Sequence, residues 1–211
     1  MTHNDDHKDH DKDHDHKHEA PSPQALRTEA IESLMLEKGY IKPNAVDEVI
    51  ARYSERVGPM NGAKIVARAW QDPAFKTRLL ADGTEAIQAF DLEGGQVEKL
   101  VVVENTAETH NVVVCTLCSC YPWAVLGLPP KWYKDPAYRS RIVREPRKLL
   151  AEMGTRVPDE VAIKVWDSSA EVRYLVLPLP PEQIADHVGD MEEAELAAMI
   201  TRDSMIGVEQ L

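Results

Sequence analysis

The sequence predicts an α+β protein in which an N-terminal helical arm leads into an α+β domain with a cysteine loop at a strand end. Three observations predict it. Across residues 22–90 the apolar residues recur at helical spacing. After Gly94-Gly95 the apolar runs become short and β-branched, at 100–103 and 112–114. The second of these runs ends directly in the chain's three cysteines, Cys115, Cys118 and Cys120.

Each element follows from local chemistry. Ser22 can cap a helix that begins at Pro23, carries Leu26, Ala30, Ile31, Leu34 and Met35 on one side, and stops at Gly39. Pro43-Asn44 opens a second helix, with Val46, Val49, Ile50, Tyr53 and Val57 at helical spacing. A third is expected over 63–70, and Asp72-Pro73 starts a fourth through Leu80. The apolar faces of the first two find little local core; a partner subunit or the chain's own C-terminal part would cover them. Asp135-Pro136 and Glu145-Pro146 start two more helices, and Pro129-Pro130 stiffens the exit from the cysteine loop. Residues 161–166 and 172–177 read as a hairpin, followed by an acidic helix near 192–200 and a last strand near 205–208. The expected division is a tail over 1–21, a helical arm over 22–92 and an α+β domain over 93–211.

Composition narrows the function classes. The net charge of −12 argues against nucleic acid as a partner. No apolar run approaches the ~20 residues of a membrane span. Residues 1–19 hold six of the eight histidines with seven acids against three lysines, a formal charge of −4. So little apolar content cannot offset the entropy of ordering, and the segment reads as disordered. It lacks the apolar stretch of a signal peptide, which agrees with a soluble cytoplasmic subunit. Its imidazoles suit Co, Ni, Cu or Zn, so it reads either as a metal-capturing segment or as a solvated tail.

The Cys-x-x-Cys-x-Cys run is an unusual ligand set. If the sulfurs of Cys118 and Cys120 bind one ion, the backbone nitrogens of Ser119 and Cys120 lie beside it. Cys118 sulfur to Ser119 nitrogen closes a six-membered chelate ring, and the two following rings are five-membered. Cys-Ser-Cys can thus act as a planar S-N-N-S claw, with Cys115 axial and a sixth position open. Structural zinc wants four tetrahedral Cys or His ligands, for which His110 is the nearest candidate. An iron–sulfur cluster asks for four cysteines, and a disulfide framework does not suit three. Spacing alone leaves a zinc site and an octahedral site both open, with a structural or redox role behind them.

The flanks carry a resemblance. The stretch Val112-Val113-Val114-Cys115-Thr116-Leu117-Cys118-Ser119-Cys120-Tyr121-Pro122-Trp123 resembles the metal loop of nitrile hydratase α subunits. Leu126-Gly127-Leu128-Pro129-Pro130-Lys131-Trp132-Tyr133, Arg144-Glu145-Pro146-Arg147-Lys148, Arg173-Tyr174-Leu175-Val176-Leu177-Pro178 and Thr201-Arg202-Asp203-Ser204-Met205-Ile206-Gly207-Val208 continue it, from about Leu26 to the end. The resemblance implies a helical arm and a layered α/β catalytic domain. It implies one low-spin trivalent ion per chain, held by Cys115, Cys118, Cys120 and the amide nitrogens of Ser119 and Cys120, with Cys118 as sulfinic and Cys120 as sulfenic acid. Thr116 and Tyr121 match the cobalt(III) members of the family rather than the iron(III) ones. The implied reaction hydrates a nitrile to its amide, with water or the Cys120 sulfenate as nucleophile.

The resemblance also assigns supporting residues. Gln96 matches a glutamine that orients water or substrate, although it also reads as a polar loop residue. Trp123 matches an aromatic beside the substrate channel and also reads as core. Arg173 matches an arginine near the metal loop, and its strand context reads as a paired structural arginine. Trp132 and Tyr133 read as packing, and His187 and His110 as surface. Implied partners are a β subunit, in an αβ or α2β2 assembly, whose arginines bind the sulfur oxygens, and an activator protein for cobalt loading. Arg139, Arg141, Arg144 and Arg147 are local candidates for the same task. Two alternatives stand beside this reading. One is a thiocyanate hydrolase-type subunit, against which Trp123 argues because that enzyme carries a basic residue there. The other is a zinc- or cobalt-binding storage or metallochaperone protein.

Overall fold

The computed structural model describes residues 22–53, 57–58, 60–92, 98–118 and 120–211. The tail over 1–21, Gln96 and Ser119 therefore lie outside the described residues. The chain divides into two compact units, one up to Ala45 and one from Val46 onward. In the first, α1 (Pro23–Glu37) begins where the Ser22 side chain accepts from the Ala25 N–H at 3.1 Å, and Pro23 supplies a preset φ at its first turn. It ends at Gly39, whose φ of +71° is the left-handed conformation that terminates helices. None of its residues is buried, and Leu26, Ile31 and Leu34 are exposed.

The second unit holds the core. After α2 (Ala45–Ala51), α3 (Met60–Gln71) buries Ala63, Ile65, Val66, Ala67 and Ala69 against neighbouring helices. Asp72 caps α4 (Pro73–Ala81), accepting from the Phe75 N–H at 2.9 Å, and Asp82 caps the short α5 (Gly83–Ala86) in the same way. Strands β1 (Lys99–Glu104) and β2 (Thr109–Val114) follow. Then come α6 (Trp123–Leu126), α7 (Pro136–Arg144) and α8 (Pro146–Glu152), strands β3 (Ala162–Asp167) and β4 (Val172–Leu177), and helices α9 (Glu193–Met199) and α10 (Arg202–Ile206).

The pairing corrects one expectation. Residues 161–166 and 172–177 do not form a hairpin. Instead β1 pairs in parallel with β4, from Lys99 opposite Val172 to Glu104 opposite Leu177. In the other ladder β2 pairs in parallel with β3, from Thr109 opposite Ala162 to Val114 opposite Asp167. The short links carry the chain from one ladder to the other. Runs such as Val101-Val102-Val103 and Val112-Val113-Val114 are apolar at successive positions, the pattern of parallel strands covered on both faces, and proximity in sequence says nothing about such partners. Within its own ladder Trp166 Nε1 donates to Asn111 Oδ1 at 2.8 Å, and its ring, 5.2 Å from that of Tyr174 on β4, links the two ladders.

Two further expectations change. Residues 205–208 are not a strand, because Thr201 caps α10 through the Ser204 N–H and Gly207 (φ +88°) ends it. His110 is not on the surface. Every residue of β2 after Thr109 is buried, and His110, 3% exposed, meets the Gly207 carbonyl through Nε2 at 2.8 Å. Burial holds its pKa below the usual histidine value, the bond to Gly207 opposing this and Arg147 adding to it. His187 is exposed, as expected.

Candidate metal centre

Strand β2 delivers Cys115 as the first residue beyond its end, and β3 fixes that end from the neighbouring ladder position. The Ser168 N–H donates to the Val114 carbonyl at 2.7 Å, so the strand pair closes immediately beneath the loop. Cys115 and Cys120 are buried, while Cys118 is exposed. All three sulfur atoms lie within 4.8 Å of one another. Cys115 and Cys118 are 3.3 Å apart, Cys118 and Cys120 are 3.0 Å apart, and the Cys118 N–H donates to Cys115 Sγ at 3.3 Å.

Those separations carry coordination chemistry. At a metal–sulfur bond of about 2.3 Å, tetrahedral ligands stand about 3.8 Å apart and adjacent octahedral ones about 3.3 Å. The two pairs, at 3.3 and 3.0 Å, lie nearer the octahedral spacing than the tetrahedral one. Among the described residues no His, Asp or Glu joins the three sulfurs in a metal-sized group. His110 is committed to Gly207. The donor set therefore fits a six-coordinate ion completed by non-side-chain ligands better than a four-coordinate structural zinc.

Protonation follows from burial. Burial pushes the Cys120 thiol up to about 12, hydrogen bonds from Cys118 and Cys115 add to this, and the charge of Arg173 opposes it. Ion binding must therefore displace protons, and it weakens as pH falls.

The loop backbone is held at three points. The Thr116 N–H donates to Asp167 Oδ1 at 2.9 Å, and Thr116 Oγ1 donates to Asp167 Oδ2 at 2.6 Å. Arg139, on α7, donates from Nη1 to the Cys118 carbonyl at 2.9 Å. The hydroxyl of Tyr133 donates to the Cys120 carbonyl at 3.0 Å. Burial raises the Tyr133 pKa, which keeps that hydroxyl a donor. Tyr138 supports the preceding strand, donating to the Val113 carbonyl at 2.8 Å. Of these, Asp167 gave no signal in the sequence, and Tyr133 read as packing alone. Leu117, at the crest of the loop, is 90% exposed. An open groove of about 460 Å³, lined by Thr116, Arg139, Val143 and Arg144, runs along the loop's flank.

Trp123 opens α6, is 39% exposed, and meets Tyr53 edge-on at 5.2 Å. Arg173 is buried on β4, donates to Glu98 Oε1 at 2.7 Å and to the Ser169 carbonyl, and its charge reaches Cys120. Among the other arginines, Arg141 binds Glu145 and Glu152, Arg144 binds the Ser140 carbonyl, and Arg147 binds the carbonyls of Val157, Pro158 and Val161. Arg139 is the member of this basic group that binds the loop.

Comparison with known proteins places this geometry. The family described as nitrile hydratase, alpha chain, matches residues 22–209. The chain belongs to the nitrile hydratase α-chain family. It is 56% identical over 184 residues to the cobalt-containing nitrile hydratase subunit alpha of Pseudonocardia thermophila, covering 87% of this chain and 88% of that one. Against the thiocyanate hydrolase subunit gamma of Thiobacillus thioparus it is 39% identical over 191 residues, covering 85% and 76%. A solved double mutant of the Fe-type nitrile hydratase from Comamonas testosteroni Ni1 superposes with a TM-score of 0.81 at 41% identity, covering 89% of this chain and 90% of that one. The nitrile hydratase α-chain architecture thus accounts for the helices, the strand ladders and the cysteine loop together.

Proposed function

We propose that this chain is the α subunit of a cobalt nitrile hydratase, which adds water to R–C≡N to give the amide. The observation that carries the reading is the group of three sulfurs at the end of β2, two pairs of which lie nearer octahedral than tetrahedral spacing. Family membership and the cobalt-containing relative support it. One cobalt(III) per chain would be held by Cys115, Cys118 and Cys120 and by the amide nitrogens of Ser119 and Cys120. Iron(III) suits the same donors, and Thr116 with Tyr121 favours cobalt. Bound, the ion supplies Lewis acidity at its open position.

The chain's own residues do the rest. Cys118 is assigned as sulfinic and Cys120 as sulfenic acid, and the Cys120 sulfenate or a water held by Gln96 attacks the nitrile carbon. Trp123, half exposed beside the loop, borders the path of the substrate. Thr116 anchors the loop through Asp167, and Arg173 supplies positive charge toward Cys120. Two oxygenated sulfurs need charged donors. Arg173 and the arginines of a β subunit, in an αβ or α2β2 assembly, meet that need, and the exposed loop crest leaves room for such a subunit. An activator protein would load the ion. The metal-binding catalytic role falls to residues 93–211, where the described residues that hold the loop are found.

The test is mass spectrometry of the peptide spanning residues 115–120 with metal analysis, on chain co-expressed with its partner in cobalt-supplemented medium. The expected result is one cobalt per chain, two oxygens on Cys118 and one on Cys120. Unmodified thiols holding zinc would overturn the reading. Turnover of thiocyanate in place of alkyl nitriles would move the chain to the thiocyanate hydrolase branch.

A further inference from the structure

Arg139 stands apart from the other arginines of α7 and α8. Arg141 pairs with Glu145 and Glu152, Arg147 pairs with Asp159, and Arg144 binds the Ser140 carbonyl. Among the described residues no carboxylate pairs with Arg139. Its Nη1 donates to the Cys118 carbonyl at 2.9 Å, and its Nε is buried without a hydrogen-bond partner. A buried N–H in that position calls for an acceptor that the unmodified side chains do not supply. The carboxylate that does touch the loop, Asp167, spends both oxygens on Thr116.

The bond to the Cys118 carbonyl fixes where the guanidinium lies. A carbonyl oxygen and the sulfur of the same cysteine are no more than about 5 Å apart, so the guanidinium sits beside Cys118 Sγ. That sulfur belongs to the exposed cysteine of the three, the other two being buried. Arg139 also lines the open groove of about 460 Å³ on the loop's flank, together with Thr116 and Arg144. A guanidinium presents its N–H groups in a fixed planar fork, so it can hold a carbonyl and an oxyanion at once.

We propose that Arg139 is the chain's own positioning arginine for Cys118, holding the loop carbonyl through Nη1 and an oxygen of the Cys118 sulfinate through Nε. A sulfinate spreads one negative charge over two oxygens, and a guanidinium makes charge-assisted hydrogen bonds to it. Because both bonds come from one rigid group, the oxygens of Cys118 are kept in register with the loop backbone. The assignment rests on the sulfinic reading of Cys118. It divides the task between two arginines of this chain: Arg173, on β4, directs charge toward Cys120, and Arg139, on α7, serves Cys118. A β subunit then completes the set of donors instead of supplying all of them.

The experiment uses the full chain in complex with its partner subunit, loaded in cobalt medium by cells grown on light or heavy sulfur. The infrared difference spectrum then isolates the sulfur–oxygen stretches. Two oxygens on Cys118 give a pair of bands, and one oxygen on Cys120 gives a single band. Arg139→Gln removes the charge and the Nε donor; the Cys118 pair should move to higher frequency, as bands do when a hydrogen bond is lost, while the Cys120 band stays. Arg139→Lys keeps the charge and one donor and should move the pair less. Peptide mass spectrometry counts the oxygens in each protein, and denaturant titration checks that the fold is kept. An unmoved pair in a folded variant that carries both oxygens overturns the assignment and leaves Arg139 as a backbone anchor. Where the glutamine variant does not fold, the lysine variant is read in its place. Folded variants that lack the oxygens also overturn it, because a donor that holds oxygens already formed is not needed to introduce them. Unmodified thiols in the parent complex strike the hydratase reading itself, and the assignment with it, before any variant is compared.

Discussion

Thr116 and Asp167 stand 51 positions apart, yet they share two hydrogen bonds that fix where the cysteine loop leaves β2. Asp167→Ala and Thr116→Val should each lower retained cobalt and nitrile turnover by about tenfold, the scale of one charge-assisted hydrogen bond. The double variant should be no worse than either alone; additive losses would sink the clamp. Both residues are exposed, so the unfolding midpoint should change little. Tyr133→Phe differs, because it orphans a buried carbonyl. It should destabilise the chain by about 1–3 kcal/mol in denaturant titration, in addition to loosening Cys120. His110 makes a pH prediction. Its folded pKa lies below the unfolded value of 6.5, so its contribution to stability is complete above pH 6.5 and declines as the pH falls below that toward the folded pKa. His110→Gln should flatten that part of a stability–pH curve, and an unchanged slope would remove the assignment.

At the scale of elements, the end of α10 and the middle of β2 are locked face to face. A Cβ on Gly207 would lie 2.0 Å from the Asn111 carbonyl oxygen, at a φ that side chains rarely adopt. Gly207→Ala should therefore cost several kcal/mol by denaturant titration and displace the strand that carries Cys115. Gly127 plays the same part after α6, where a Cβ would come within 2.8 Å of the Tyr53 carbonyl. That close approach holds Trp123 against Tyr53. Most helices were legible because their signals are local: Ser22, Asp72 and Asp135 each accept from a backbone N–H within three residues. The strand partners and α10 were not. Parallel pairing is set by residues more than 50 positions away, and the β-branched look of the 205–208 region gave no weight to the Thr201 cap.

At the scale of the whole molecule, unburied apolar surface is the leading feature. The first unit exposes Leu26, Ile31 and Leu34 of α1, and the second by itself exposes Val49 and Ile50 of α2, whereas soluble chains seldom leave large apolar patches open. The chain expressed without a β subunit should bind a hydrophobic dye and self-associate, and co-expression should abolish both. Ile31→Lys with Leu34→Lys should weaken subunit association while leaving the circular dichroism of the isolated chain unchanged. Loss of the chain's own fold in that variant would show that α1 serves internal packing instead. Among the described residues no helix is long and apolar enough to cross a membrane.

The spacing of Cys115, Cys118 and Cys120 is a local property, so the sequence by itself determined that three sulfurs and the intervening amides could meet one ion, and its flanks determined the family. The caps and helical faces were likewise written within a few residues of where they act. Tertiary structure alone decided which strands pair, that His110 is buried and spoken for, and which groups hold the loop. Asp167, Arg139 and Tyr133 reach it from separate elements, and no spacing rule relates residues brought together only when two parallel ladders and their covering helices close around one core.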